Sequence, residues 1–88
     1  GISVEDLQSN LADLTGAFSS LTYAQIDTLF NKIASAAEQS NLDINALTKA
    51  TIEIGDALNL SSDKAVNTAT LFMTASEEYG LSTEELVF

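Results

Sequence analysis

Five times along the chain the same three-residue punctuation recurs: Gly1-Ile2-Ser3, Ser20-Leu21-Thr22, Asn41-Leu42-Asp43, Asn59-Leu60-Ser61 and Gly80-Leu81-Ser82. Each is a Gly, Asn or Ser, then Leu or Ile, then Ser, Thr or Asp. The third residues, 3, 22, 43, 61 and 82, are spaced by 19, 21, 18 and 21. Every position has a helix-boundary role. Gly or Asn tolerates the left-handed backbone that ends a helix. Ser, Thr or Asp accepts a hydrogen bond from the unpaired N–H groups that begin the next one. The middle Leu or Ile is placed to pack on an apolar residue one turn into that helix. Those partners stand at Leu7, Ile26, Leu47, Ala65 and Leu86. Gln25 and Glu85 add the reciprocal acceptor of a capping box, and Asp6 takes the same place after Ser3.

The pattern predicts helices over 4–18, 23–39, 44–58, 62–79 and 83–88, joined by very tight turns. Between the punctuation marks the apolar residues follow a three-four spacing: Leu7, Leu11, Leu14 and Phe18; Ile26, Leu29, Phe30, Ile33 and Ala37; Leu47, Thr51, Ile54 and Leu58; Ala65, Ala69, Phe72 and Tyr79. Such stripes belong to amphipathic helices with one buried face. No segment sustains the alternation of a strand, and Pro is absent. The expected fold is all-α: one domain over residues 1–88, a compact bundle of four main helices plus a short C-terminal helix. Gly16 either ends the first helix early or lies within it. Gly55 interrupts the third helix at a cost of about 1 kcal/mol relative to Ala, which close packing would explain. The period of about 20 residues is the spacing that any bundle of equal helices gives its caps, and the residues between the caps do not match from one unit to the next.

A chain of 88 residues buries only ~60–65% of its unfolded surface, so its stability margin is small. With no Cys, neither a disulfide nor a thiolate metal site can add to it, and the compartment stays open between cytosolic and extracellular. Thirteen carboxylates face three Lys (Lys32, Lys49 and Lys64) and no Arg, a net charge of −10. That balance argues against nucleic acid as a partner and against anionic membrane surfaces. No apolar run reaches the ~18–20 residues that span a bilayer, so membrane insertion is not expected. The first residue is Gly1 where an initiator Met would stand, so the chain is expected to be processed, cut from something longer, or headed by a residual tag residue.

The same composition removes most catalytic chemistry. With no His and no Cys, triads and Cys–His pairs cannot form, and zinc has no usual ligand. Ser61-Ser62-Asp63-Lys64 fits the S-x-x-K pattern of penicillin-binding enzymes, but the companion motifs are missing and Ser61 reads as a helix cap. Nothing singles out a carboxylate pair for glycoside hydrolysis, and no Trp is present to build a sugar cleft. No EF-hand loop occurs, and Glu77, Glu78, Glu84 and Glu85 read as a solvated acidic surface. Asn59-Leu60-Ser61 is also a glycosylation sequon, but its residues already have turn roles. Gly55-Asp56-Ala57-Leu58 is similar in shape to the D-S-L setting of acyl carrier proteins, but Ala57 stands where the attachment Ser is required. The cadence of "LNLSSDKAV" and "YGLSTEEL" resembles segments of phage tail tape-measure proteins, which string together short capped helices. The resemblance rests on the caps alone, and it agrees with an assembly role.

The expected function is therefore a non-enzymatic helical module for protein–protein association or assembly, with no cofactor and no bound metal. Its partner would be itself or a larger assembly, and its acidic surface would make it pH-sensitive. Leu86, Val87 and Phe88 form an apolar end on a helix too short to bury much, and are the candidate partner-binding residues. Alternatively they fold back and plug the bundle's own core. Two other readings stand beside this one. One is a carrier of a small apolar ligand lined by Phe18, Tyr23, Phe30, Phe72, Met73 and Tyr79. The other is a piece of a larger repetitive helical structural protein.

Overall fold

The computed structural model describes residues 2–80, apart from the Tyr79 side chain. Among the described residues four helices form: α1 (Val4–Ala17), α2 (Tyr23–Ser40), α3 (Ile44–Leu58) and α4 (Ser62–Tyr79). The same residues contain no strand. The C-terminal helix expected over 83–88 lies outside the described residues.

The helices start where the cap residues place them. The Ser3 hydroxyl accepts from the Asp6 N–H at 3.0 Å, and the Asp43 carboxylate accepts from the Ala46 N–H at 2.9 Å. At Thr22 the capping box closes in both directions. Gln25 N–H donates to Thr22 Oγ1 at 3.2 Å, and Thr22 N–H donates to Gln25 Oε1 at 2.8 Å. Ser61 occupies the same position before α4 without making a side-chain cap bond. There the backbone suffices, with Ala65 N–H donating to the Ser61 carbonyl at 2.8 Å.

The two Asn turns do the most. Asn41 and Asn59 are the only non-glycine residues with positive φ among those described, at 54° and 52°. Asn41 N–H donates back to Glu38 O, and Leu42 N–H donates to Ala37 O at 2.8 Å. Asn59 N–H and Leu60 N–H repeat the pattern on Asp56 O and Gly55 O. Both are Schellman closures, which satisfy the carbonyls left open at a helix end. The residue that completes each closure, Leu42 or Leu60, is also the apolar residue before the next cap. One Leu thus ends one helix and stands just before the cap of the next. Leu42 is buried, and Leu60 is half-buried against the core.

The first connection departs from this rule. Ser20 does not take the left-handed conformation. α1 stops at Ala17, Phe18 N–H still reaches Leu14 O at 2.8 Å, and a five-residue link leads to α2. A Ser side chain supports the left-handed backbone less well than Asn or Gly, so the chain turns by another route. Gly16 lies within α1, as one of the two expectations had it.

The core is continuous, built from Leu14, Ile26, Leu29, Phe30, Ile33, Ala37, Leu42, Leu47, Ala50, Ile54, Val66 and Ala69. α2 and α3 form its centre. α1 and α4 each pack on both of them and not on each other. Thr48 and Thr51 are buried with the apolar residues, because each hydroxyl donates to the carbonyl four residues earlier, at 2.9 and 2.8 Å. Leu58 departs from its expected place in the α3 stripe and is 43% exposed. It closes the last turn, and Leu60 folds back there onto the core side instead.

Gly55 has the close packing that its cost implied. A Cβ built on it would stand 3.2 Å from Ala65 Cβ and 3.3 Å from Phe18 Cζ. α3 and α4 approach through this gap, and the Phe18 ring from the end of α1 lies over it. Gly16 faces open space, with nothing within 4 Å of a Cβ placed on it. Gly16→Ala is therefore expected to stabilise the fold by about 0.5–1 kcal/mol, and Gly55→Leu to destabilise it by about 1–3 kcal/mol or more, in denaturant titrations. In the same assay Thr22→Ala should cost about 1 kcal/mol, whereas Ser61→Ala, which loses no side-chain bond, should cost little.

Candidate functional site

α1 and α3 are not consecutive, yet they lie side by side with their N-termini at the same end. Asn45, in the first turn of α3, meets Asp6 and Asn10 of α1, while Phe18 reaches Gly55 at the other end. Between them runs an open groove of about 860 Å³, lined among others by Asp6, Asn10, Asp13, Asn45, Lys49 and Glu53. It continues past Gly16, Ala17, Ile52 and Glu53 into a second hollow of about 520 Å³ that reaches Asp56 and Leu60.

The floor of the groove holds a directional hydrogen-bond chain. Asn45 Nδ2 donates to Asp6 Oδ2 at 3.3 Å, and Asn10 Nδ2 donates to Asn45 Oδ1 at 2.8 Å. The direction follows from the chemistry of the ends. An ionised carboxylate only accepts, so Asn45 must turn its NH₂ toward Asp6. Its carbonyl oxygen is then the atom that faces Asn10, so Asn10 must present NH₂ in turn. The Asn10 carbonyl oxygen is left over. Asn10 is 7% exposed, and among the described residues its Oδ1 accepts no hydrogen bond. No fully enclosed side-chain oxygen or nitrogen lacks a partner among those residues, so this oxygen keeps its contact with solvent through the groove that Asn10 lines.

The walls are acidic. Asp6, Asp13, Glu53 and Asp56 line the two hollows, against Lys49 alone among the cationic lining residues. Of the other two lysines, Lys32 pairs with Asp63 at 3.4 Å on the far side, between α2 and α4. Ala12, Gly16, Ala17 and Ile52 supply a low apolar surface between the charges. A separate groove of about 710 Å³ lies between α1 and α2, flanked by Leu11, Ile26 and a Tyr23 that is 87% exposed.

Sequence reasoning passed over Asn10 and Asn45. The signal was present: Asn10 stands three residues after Leu7 and four before Leu14, a polar residue on the buried stripe. The candidate residues Leu86, Val87 and Phe88 lie outside the described residues. Of the residues considered for an apolar ligand, Phe18, Phe72 and Met73 pack against the core that contains Phe30, and the Tyr79 side chain lies outside the described residues. Phe30 is in the core, Phe18 lies over Gly55, and Tyr23 projects outward. Among the described residues no three His, Cys, Asp or Glu converge as metal ligands. A scan against protein-family models gives no match, and neither do searches of curated proteins and of solved structures.

The amide chain has an energetic signature. Asn45→Ala leaves the Asn10 NH₂ without its partner and should cost about 1–2 kcal/mol. Asn10→Leu removes the need for that partner, so Asn45→Ala should cost far less in its background. A double-mutant cycle by urea unfolding should show coupling of about 0.5–2 kcal/mol.

Proposed function

We propose that this chain is a non-enzymatic helical module for protein–protein association or assembly. The observation that carries the reading is the α1–α3 groove, a long open surface of acceptors, carboxylates and small apolar residues. It has the hydrogen-bonding character of a recognition surface. The groups that most often carry proton transfer and nucleophilic attack, His and Cys, are missing from the whole sequence. Exposed apolar side chains add to the reading: Val4 and Leu71 are each 69% exposed, and Tyr23 more so. Leu86, Val87 and Phe88 are further contact residues under this proposal. No helix among the described residues is long and apolar enough to cross a membrane.

The charge makes self-association pH-dependent. At pH 7 a net charge of −10 opposes contact between copies. Near pH 4.5 the carboxylates of a typical surface begin to take up protons and the repulsion falls. Sedimentation velocity is expected to show monomer at pH 7 and larger species at about pH 4.5, with high salt at pH 7 giving part of the same shift. A monomer at both pH values and at high salt contradicts the pH-sensitive form of the proposal.

A further inference from the structure

We infer that the α1–α3 groove is the docking site of a cationic amphipathic helix from a partner protein. The inference rests on the association reading above and names the chemistry of the partner. Four observations converge on it.

The first is the free acceptor. The one-way chain Asn10 to Asn45 to Asp6 is anchored on a carboxylate, so it cannot reverse while that carboxylate is ionised. It leaves the Asn10 carbonyl oxygen without a protein partner among the described residues, in contact with solvent at the groove that Asn10 lines. A donor brought by a partner replaces the solvent at this oxygen, and Lys and Arg side chains carry only donors.

The second is charge. Asp6, Asp13, Glu53 and Asp56 flank the groove and Lys49 opposes them. A basic segment complements this field and is steered to it. A second copy of this chain at net −10 does not, and neither does the chain's own Ser82-Thr83-Glu84-Glu85 stretch.

The third is the shape of the floor. Ala12, Gly16 and Ala17 on one side, and Ile52 on the other, leave room for a helix to settle close to the backbone. Gly16 has nothing within 4 Å of a would-be Cβ. The fourth is length. The two hollows adjoin through Gly16, Ala17, Ile52 and Glu53 and run from Asp6 to Phe18, a stretch of ~18 Å at 1.5 Å per residue. That span seats about three turns of helix, the usual unit of helix-in-groove recognition.

The test uses the full chain, ¹⁵N-labelled, at pH 7. The probes are an amphipathic helical peptide with Lys on its polar face, the same peptide with Gln for Lys, and spermine at matched charge. The Lys peptide is expected to bind about tenfold more tightly than the Gln peptide. The largest amide shifts are expected at Asn10, Asn45, Gly16, Ile52 and Glu53. Asn10→Leu should weaken the Lys peptide severalfold. Asp13→Asn with Glu53→Gln, two exposed changes that leave the core untouched, should remove most of the preference for Lys over Gln. Equal binding of both peptides overturns the inference, as does an unchanged preference in the Asp13/Glu53 variant. The same shifts produced by spermine alone overturn it too, since the groove would then be only an acidic surface. Binding that maps to another face overturns this site while leaving the association reading in place. Failure of both peptides to bind overturns the site, and the sedimentation experiment then judges the broader reading separately.

Discussion

The bundle depends on how its chain reverses. At Asn41 and Asn59 a left-handed residue ends one helix, and the next residue, a Leu, donates its N–H to a carbonyl five residues back. The same Leu turns its side chain inward ahead of the next cap. Three residues therefore do what a longer loop would do less tightly, and the direction of each departing helix is fixed by backbone hydrogen bonds rather than by packing alone. This matters in a chain of this size, whose core is small. α2, α3 and α4 are held as a unit by two such turns. α1 enters by a looser five-residue link and depends more on what it packs against.

That difference shapes the candidate site. α1 lies along α3 with no direct turn between them. The contact is made by Leu14 in the core, by Phe18 over Gly55, and by the amide chain from Asn10 through Asn45 to Asp6. Between these points the helices are separated by small residues, and the gap is the groove. A buried Asn on an apolar stripe sacrifices some burial for direction, since a hydrogen-bonded amide accepts fewer alternative alignments than a Leu. Here it also leaves one oxygen facing outward. The acidity of the walls and the shortage of basic residues give that opening a sign, and the sign selects the partner proposed for it.

Much of the fold was legible in the sequence because helix ends are local chemistry. The left-handed Asn41, Asn59 and Gly80, the caps at Ser3, Thr22 and Asp43, and the start of each described helix follow from residues within one turn of each other. Other positions depart from that local reading. Ser61 has the right identity and position for a cap, yet its side chain makes no cap bond. Leu58 has the right phase to be buried and is not, because Leu60 takes the core side of that end. Gly55 advertised a close approach but could not say to what, since Ala65 and Phe18 come from two other elements. The site was the least legible part. Asn10 and Asn45 are 35 residues apart, and only the side-by-side placement of two non-consecutive helices brings them together.

The central structural claim is that the Asn-Leu turns are closed by the backbone bonds of Leu42 and Leu60 rather than left as open loops. Native-state hydrogen exchange at the Leu42 and Leu60 amides tests it most directly. These N–H groups are bonded to Ala37 O at 2.8 Å and to Gly55 O at 2.9 Å. Both are expected to exchange as slowly as the core amides of α2 and α3, opening only with global unfolding. Exchange at the rate of an unprotected loop would contradict the claim, and with it the account of how the bundle is held.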